Sequence, residues 1–532
     1  MRKKEIDCLV IGAGPVGLTL ACQLRQYGVS CRIIDKVESP VIRTKAAGIW
    51  SRTLEFLAQM GLGDKFIDQG LQCYGASIFA DGKRIAHLHL EGIESFYNFI
   101  LLIPQHETEG ILREHLQRLD TEVEYGKELS LLREERESVV AVLKSGEEIE
   151  AKWVVGCDGA HSRVRHALGL EFVGHKLDTQ WIVSDLQLRG LPLEEEVQVY
   201  LHEEGPTAFF PLGKRFYRLV AETGPLKDSA QEGKAKAEAE RLIKARLPQE
   251  VEIEEIKRAG FFSIHERQVQ QYKSGRVFLA GDAAHVHSPL GGQGMNTGIH
   301  DVNNLAWKLA MVIRRGLLPS LLETYHEERF PVGEWVVKAT SRGMTAITSR
   351  QPLVAALRKQ AARLLANLPP VQSRIRNTLA ETEIHYRESS LSKEPEEPAT
   401  GWKFGKGITA GERAPDGAVG EEGRRLYDYL TGCRFHLLLF TSDEDSSRAV
   451  MEGLCSTLRK EFVDLVQVLI VDTKPPATAI AEAVHILDST ADLHHKYAAT
   501  RPSAYLLRPD TYVACRSQPI SEVELLSYMR AL

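Results

Sequence analysis

The spacing of hydrophobic and polar positions along the chain predicts both strands and helices. Residues 5–11 form a continuous apolar run typical of a buried strand, residues 18–27 follow at helical spacing, and residues 31–34 form a second short apolar strand. Alternating positions over 172–223 and 251–265 predict an antiparallel sheet. A further buried strand and long helical patterns then occupy 276–280, 296–315, 319–345 and 350–368. The pattern indicates an α/β protein with a sheet-rich middle segment.

A polar, proline-containing segment over 388–400 predicts a linker before a separate C-terminal region. Beyond it, strands are predicted at 435–440, 465–471, 484–487, 503–508 and 511–515, and helices at 444–460, at 476–482 and at the end of the chain. This compact alternation predicts a small α/β domain of its own.

Length and composition narrow the class of protein. At about 150 residues per domain, 532 residues suggest three to four domains, and a hydrophobic content of 43% excludes disorder, collagen and coiled coil as overall descriptions. The formal net charge of −6 gives no basic surface, so we expect no nucleic-acid partner and no stable membrane association. The eight cysteines are scattered without a CxxC pair, which fits a reducing cytoplasm, where we expect the protein to reside.

The first strand runs into a glycine-rich turn. Gly12, Gly14 and Gly17 form a GxGxxG pattern between strand and helix, and Asp35 follows the second strand. Such glycines permit a tight turn, close approach of the backbone to a pyrophosphate and close helix packing, while the helix N-terminus favours anions. An acid in the position of Asp35 suits the hydroxyl pair of a ribose. The unit predicts dinucleotide binding.

A second glycine-rich segment indicates which dinucleotide binds. Gly281 and Asp282 end the strand over 276–280, and a loop with three glycines follows over 289–296. A carboxylate at a strand end can bind a ribityl hydroxyl, and the N–H groups of the loop can face an electron-rich ring edge. With these residues in view, the chain resembles the single-component FAD-dependent aromatic hydroxylases. That family includes p-hydroxybenzoate hydroxylase, phenol and polyketide hydroxylases, and rifamycin-modifying monooxygenases.

The resemblance implies an α/β fold with a discontinuous, Rossmann-like FAD-binding domain over 1–175 and 265–345. An antiparallel substrate-binding domain over 176–264 interrupts it, and a helical segment with a linker follows over 346–400. The last part, 401–532, resembles the thioredoxin-like extension of the longer hydroxylases but lacks CxxC, so we expect it to have no redox role.

The resemblance also assigns cofactor contacts position by position. The predicted FAD-binding residues are Gly12, Gly14, Pro15, Val16, Gly17, Asp35, Lys36, Arg43, Arg52, Gln105, Asp158, Gly281, Asp282, Pro289, Gly292, Gly294, Met295 and Asn296. Pro289 and Gly292 are expected near the flavin ring, and Asp158 belongs to an Asp-Gly motif implicated in contact with both FAD and NAD(P)H. No side chain is assigned a catalytic role, because the flavin carries the chemistry.

The implied reaction uses FAD, NADPH or NADH, and O2 to hydroxylate a small aromatic substrate, phenolic or polyketide-like, through a flavin C4a-hydroperoxide. We expect a monomer or homodimer. No metal site is expected, since the paired histidines at 87/89, 285/287 and 494/495 lack carboxylate or thiolate companions at ligand spacing. The alternatives are a halogenase-like enzyme, an antibiotic-modifying monooxygenase, a flavin oxidoreductase that inserts no oxygen, or a non-catalytic binding protein on the same fold.

Overall fold

The chain divides into two compact units in a computed structural model. The first comprises Met1–Arg25, Val29–Asn303 and Arg329–Thr382, and the second Gln26–Gly28, Asn304–Glu328 and Glu383–Leu532. The structure describes residues 6–41, 47–193, 195–225, 232–348, 368–394, 407–420, 423–441, 447–476 and 478–532. The predicted helix over 350–368 lies almost wholly outside these residues. The domain boundaries proposed above remain predictions.

The first sheet of the first unit has a parallel centre. Ile6–Ile11 lies between Cys31–Ile34 and Glu148–Gly156 and runs parallel to both. Val277–Leu279 continues the parallel pairing on the far side of Glu148–Gly156. Its other strands are Val123–Glu124, Leu129–Glu134, Val139–Leu143 and Lys273–Ser274. The second parts of the two predicted apolar runs, Cys8–Ile11 and Ile33–Ile34, are buried, as expected for strands covered on both faces.

The turn after the first strand depends on glycine at two positions. Gly12 adopts a φ of +107°, and a Cβ there would collide with the carbonyl oxygen of Cys157. A Cβ on Gly17 would collide with the carbonyl oxygen of Gly12. The helix Pro15–Gln26 therefore starts against the sheet, with proline at a position where the missing N–H has no cost.

A second eight-stranded sheet, which we call the wall sheet, makes up most of the rest of the first unit. In spatial order its strands are His285–Val286, Glu252–Val269, Phe172–Arg189, Phe216–Pro225, Thr207–Pro211, Val197–Leu201, Gly75–Ala80 and Lys83–His89. All neighbours are antiparallel except Val197–Leu201 and Gly75–Ala80, which are parallel. The antiparallel pattern predicted in the middle of the sequence is thus present, but the hairpin Gly75–His89 and the strand His285–Val286 join it from outside that segment.

The two faces of the wall sheet have different roles. One face, which includes Ile182, Phe209 and Leu219, packs against the helix Glu232–Arg246 in a single buried cluster. Side chains of successive residues point to opposite faces of a strand, so Val183 and Val220 belong to the other face. That second face borders the cavity described below.

The remaining elements of the first unit connect these sheets. A three-stranded antiparallel sheet consists of Gly48–Ile49, Ile100–Leu102 and Leu71–Cys73. The further helices that lie in this unit are Ser51–Gln59, Gly63–Gln69, Gln105–Arg118, Arg163–Ala167 and Pro369–Ala380. Two longer helices, Gly294–Arg315 and Thr324–Thr348, contribute residues to both units.

The second unit contains a five-stranded sheet in the order Val484–Leu487, Val466–Asp472, Phe435–Phe440, Ser503–Leu507 and Val513–Ser517. The first three strands are parallel to one another and the last two are antiparallel to their neighbours. Its helices are Arg448–Glu461, Asp492–Lys496 and Glu522–Ala531. The thioredoxin-like assignment of this region remains a prediction.

The helix predicted over 476–482 is wrong for the described residues there. Residues 478–483 form bends and turns instead, and the backbone N–H of Ile480 donates to Nε2 of His485. That N–H is thereby bound to the strand Val484–Leu487 and not to a helical carbonyl, and the short span between Pro476 and this strand leaves too few residues for a stable helix.

Buried charges in the second unit form one compensated network. Glu328 accepts from Lys308 Nζ at 2.7 Å and from Arg508 at 2.6 and 2.9 Å, and Arg508 also contacts Asp510. Lys308, Glu328 and Arg508 are fully buried. Removal of a single member would leave an unpaired charge in the interior, which costs several kcal/mol, about 3–5 in measured cases.

The cysteines do not form a redox pair. All eight are free, and burial raises the pKa of Cys433 to about 12 and that of Cys455 to about 11. Thiols of such high pKa are poor nucleophiles. Among the described residues, no group of three or more His, Cys, Asp or Glu could hold a metal ion, and no helix is both long and apolar enough to cross a membrane.

Candidate functional site

A cavity of about 1120 Å³ lies in the first unit, between the first sheet and the wall sheet. Four parallel strands of the first sheet end at it, where Gly12, Asp35, Cys157 and Asp282 follow the strands. Ligands of open α/β sheets bind outside the carboxyl ends of the strands. Pockets for drug-sized ligands measure roughly 300–1,000 Å³, so this cavity is larger than is usual for one such molecule.

The glycine turn presents bare backbone to the cavity. Gly12, Gly14, Pro15 and Val16 all line it. A Cβ on Gly14 would meet no protein atom within 4 Å, so the space beside this residue is empty. Because glycine has no side chain to fill that space, the backbone here is open to a ligand. The first N–H groups of the helix Pro15–Gln26 have no partner within the helix and point to this end, which favours a phosphate.

Asp35 stands at the end of the second strand and lines the same part of the cavity. Its Oδ2 accepts from the backbone N–H of Ala13 at 2.7 Å and its Oδ1 from that of Val37 at 3.0 Å. A carboxylate has about four acceptor positions, so both oxygens keep a lone pair for hydroxyl groups. Lys36, on the same edge, is exposed and lines the cavity as well.

Asp158 lines the cavity but is largely used by its own turn. Its Oδ2 accepts from the backbone N–H of Arg163 at 2.6 Å and of Val164 at 3.2 Å, and its Oδ1 accepts from the hydroxyl of Ser162. Burial raises the pKa of the Asp158 carboxyl despite these donors. The Asp-Gly motif therefore builds the start of the helix Arg163–Ala167 beside the cavity.

The loop 289–296, which is predicted to face a flavin ring, is held in place by a buried side chain. Pro289, Gly292, Gly294 and Met295 line the cavity, whereas Asn296 is fully buried. The Asn296 side-chain amide donates to the carbonyl oxygens of Gly48 at 3.0 Å and Gly292 at 2.9 Å. Asn296 thus holds the loop in place while its neighbours face the cavity.

Trp50 supports the same loop. Its backbone N–H donates to Oδ1 of Asn296 at 2.9 Å, and its indole N–H donates to the carbonyl oxygen of Gly291 at 2.7 Å. Gly291 and Gly292 have φ values of +79° and +67°, which favour glycine at both positions.

Asp282 faces the cavity beside a buried charged cluster. The backbone N–H of Gly281 donates to Oδ2 of Asp301 at 3.0 Å, so Gly281 itself is turned to the interior. Asp301 also contacts His285 Nε2 and Arg329 Nε, each at 2.7 Å. Burial alone would raise the pKa of Asp301, but the charges of His285 and Arg329 lower it to about 2. This cluster fixes the turn that presents Asp282.

The other predicted residues are placed differently. Gln105 begins the helix Gln105–Arg118, lines the cavity and donates through Nε2 to Glu109 at 2.8 Å. Arg52 is fully buried, pairs with Glu55 at 2.8 Å and is absent from the described lining, as are Gly17 and Gly281. Arg43 lies outside the described residues.

The wall-sheet side of the cavity was not assigned from the sequence. Its lining includes Val183, Phe210 and Val220, the guanidinium-bearing Arg218 and Arg258, and the stretch 259–265. Strand alternation could have separated the two faces of this sheet, but no local signal tells which face packs on a helix and which borders a ligand.

Comparisons with known proteins agree with this geometry. The FAD binding domain family matches residues 5–340. A rifampicin monooxygenase from Streptomyces venezuelae is 33% identical over 68% of this chain and 75% of its own length, and a 6-methylpretetramide 4-monooxygenase from Streptomyces rimosus is 30% identical over 98% and 93%. Among solved structures, an anhydrotetracycline hydroxylase from Streptomyces rimosus superposes with a TM-score of 0.76 at 26% identity, covering 99% of each chain.

The fold and the site thus define a flavoprotein of the FAD-dependent aromatic hydroxylase class, and the predicted α/β fold class is confirmed. The chain belongs to the FAD binding domain family. It is an FAD-dependent monooxygenase that uses O2 and a reduced nicotinamide, and the alternative of a halogenase-like enzyme is not favoured.

Proposed function

We propose that this enzyme hydroxylates planar aromatic substrates of several fused rings, held between the loop 289–296 and the wall sheet. The observation that carries the proposal is the cavity, whose volume of about 1120 Å³ extends from the glycine turn to the wall sheet. A small phenol beside the cofactor would leave much of that space to water, whereas catalysis of this type requires water to be excluded.

The residues present suit FAD. The open backbone at Gly14 and the helix N-terminus would take the pyrophosphate, and the remaining lone pairs of Asp35 would take the adenosine ribose. Asp282 would accept from the ribityl chain, and the loop around Gly292 would face the ring. When bound, FAD supplies hydride acceptance from the reduced nicotinamide and the activation of dioxygen.

The residues of the chain position the substrate and exclude water from it. Val183, Phe210 and Val220 offer an apolar surface on the wall sheet for the flat face of a substrate. His287 lines the cavity close to Gly294, and its Nδ1 donates to the carbonyl oxygen of Ser288 at 2.9 Å, so Nδ1 carries the proton of the neutral ring. Burial lowers the pKa of His287 to about 4, which keeps the ring neutral at pH 7.

The relatives support a large substrate. Their names specify rifampicin, 6-methylpretetramide and anhydrotetracycline, although a pentachlorophenol 4-monooxygenase from Sphingobium chlorophenolicum also matches at 28% identity. The apolar wall-sheet surface of Val183, Phe210 and Val220 suits the larger, flat group. The free cysteines further support a cytoplasmic location. A monomer or homodimer is proposed as well, and light scattering of the holoenzyme would determine which of the two forms.

The test uses purified holoenzyme with a substrate panel. Oxidation of NADH or NADPH is recorded with fused-ring phenols such as hydroxyanthraquinones, and with monocyclic phenols. Products formed under ¹⁸O2 are then analysed by mass spectrometry. We expect fused-ring compounds to stimulate nicotinamide oxidation and to gain one labelled oxygen. Turnover confined to monocyclic phenols would contradict the proposed substrate size, and an unlabelled product would contradict oxygen insertion.

A further inference from the structure

A row of side chains crosses the cavity face of the wall sheet. In the strand register, Phe210 pairs with Arg218, Arg218 with Asp185, and Asp185 with Arg258. Directly paired residues of neighbouring strands project to the same face. The same face carries Val183, two residues from Asp185, and both Val183 and Arg258 line the cavity. The row is therefore part of the cavity wall.

Two of the three charges in this row neutralise each other. Arg218 donates to Asp185 through Nε at 2.7 Å and through Nη2 at 3.0 Å. Arg218 is 2% exposed and Asp185 7% exposed, so the bidentate pair is removed from bulk water. Planar, bidentate pairs of this kind hold both partners in a fixed geometry. Asp185 is thereby directed to Arg218 rather than to the third charge.

The third charge of the row belongs to Arg258. Arg258 is exposed, and within the described part of the chain no hydrogen bond or ion pair is recorded for its guanidinium. Among the described lining residues contributed by the wall-sheet strands, none carries a carboxylate. The acidic lining residues, such as Asp35, Glu128 and Asp282, come from elements of the opposite side. Within the described lining, the wall sheet thus presents the positive charge of Arg258 to the cavity without a recorded ion pair.

Space is available beside that charge. Gly260 lies two residues from Arg258 on the same face, pairs with Val183 and lines the cavity. A Cβ on Gly260 would meet no atom within 4 Å, so the missing side chain leaves a gap in the wall. An Arg with free donors next to such a gap can reach an oxygen atom at the edge of a flat ring, because its planar fork matches an anionic oxygen pair.

We propose that Arg258 is a specificity-determining residue that binds an anionic oxygen, carried as a carboxylate, phenolate or enolate at the edge of the aromatic substrate. The Arg218–Asp185 pair positions this site by occupying the carboxylate of Asp185, which lies directly opposite Arg258 in the strand register. The inference rests on the proposed function, since it assigns a substrate class to the same cavity.

The experiment compares two probes of equal shape and different charge, 6-hydroxy-2-naphthoate and 6-hydroxy-2-naphthamide. Their Kd values for the oxidised holoenzyme are obtained from the change in flavin absorbance, for the wild type and for Arg258→Gln, Arg258→Lys and Arg258→Glu. A hydrogen bond to a charged group contributes about 1.5–3 kcal/mol. At about 1.4 kcal/mol per tenfold, the preference for the naphthoate should therefore fall roughly 10- to 150-fold in Arg258→Gln.

Two further variants sharpen the result. Arg258→Lys should retain part of the preference and Arg258→Glu should invert it. Arg189→Gln serves as the matched control, because Arg189 is an exposed arginine on the same sheet that pairs with Glu254 and is absent from the described cavity lining. Its probe preference should equal that of the wild type.

Three outcomes would overturn the inference. They are an unchanged preference in Arg258→Gln, an equal change in Arg189→Gln, or a rise in the KM for the reduced nicotinamide without a change in probe preference. Failure of the proposed function is a separate result: a wild-type holoenzyme whose flavin absorbance responds to neither naphthalene probe, and whose nicotinamide oxidation no fused-ring compound stimulates, lacks the substrate site on which Arg258 would act.

Discussion

Gly14 and Gly17 belong to the same glycine turn, yet a methyl group added to each should have opposite effects. At Gly14 the new Cβ would meet no protein atom within 4 Å, so the protein itself accommodates it. At Gly17 the new Cβ would collide with the carbonyl oxygen of Gly12, a backbone atom that cannot rotate away. Gly14→Ala therefore acts on the ligand and Gly17→Ala acts on the fold.

The magnitudes follow from these environments. Gly14→Ala should leave the free energy of unfolding of the apoprotein unchanged or raise it by up to about 1 kcal/mol, because alanine restricts the unfolded chain. Its methyl group keeps a pyrophosphate from the backbone, and the loss of one charge-assisted hydrogen bond, about 1.5–3 kcal/mol, weakens FAD binding roughly 10- to 150-fold. Gly17→Ala should destabilise the apoprotein by about 1–3 kcal/mol or more through overpacking.

The assay separates the two effects. Deflavinated protein is titrated with FAD and followed by flavin fluorescence, and the same apoprotein is unfolded in urea. Gly14→Ala should change only the Kd, and Gly17→Ala should lower the urea midpoint. If Gly14→Ala bound FAD as tightly as the wild type, the assignment of the pyrophosphate to this backbone would be refuted. If Gly17→Ala apoprotein were as stable as the wild type, the packing argument would fail.

Three other predictions concern the cavity and the buried charges. The variant Gly260→Val should fold and bind FAD normally, since a Cβ at this position has open space. It should lower kcat/KM for fused-ring substrates relative to kcat/KM for monocyclic phenols. If the ratio of these two kcat/KM values did not change, the placement of substrate against Gly260 would be contradicted. Because the pKa of Asp301 in the folded protein is about 2, below the ordinary value of an aspartate, its contribution of about 2 kcal/mol is present above pH 4 and disappears as pH falls towards 2. Asp301→Asn should therefore flatten the acid limb of the stability profile measured in urea, and a limb of unchanged slope would show that Asp301 does not titrate there. Burial raises the pKa of the Glu381 carboxyl to about 8, so the free energy of unfolding should decline as pH rises from about 4.5 to 8. The variant Glu381→Gln, whose side-chain oxygen can still accept from Thr297, should remove this decline and stabilise the protein at pH 9 by a few kcal/mol. An equal decline in the variant would show that another group causes it.

Local sequence patterns were sufficient to predict a feature where the residues of a motif lie close in sequence to the strand that positions them. The glycine turn, Asp35 and the loop 289–296 lie next to the strands that position them, so motif and structure can be related within a few residues. The helix over 476–482 is absent because its composition favours helix, while the short span before the next strand and the hydrogen bond from Ile480 to His485 oppose it. Local preference lost to chain geometry there.

The distant parts of the site could not be read in the same way. Gly75–His89 joins the wall sheet from about a hundred residues upstream of the predicted sheet, and pairing between remote strands leaves no local signature. Arg52 looks like a cofactor ligand by resemblance, yet its burial beside Glu55 depends on packing around the helix Ser51–Gln59. Arg258 shows no motif, because its proposed role depends on Asp185 pairing with Arg218 and not with Arg258.

The alternation along the strands of the wall sheet has a consequence for how this enzyme can change. Ile182 and Leu219 belong to the packed cluster, while their neighbours Val183 and Val220 border the cavity. A mutational library restricted to every second position of these strands could therefore explore new substrates with little loss of folded protein. The intervening positions would tolerate far less variation. Natural selection for new substrates would likewise act mainly on every second position of these strands.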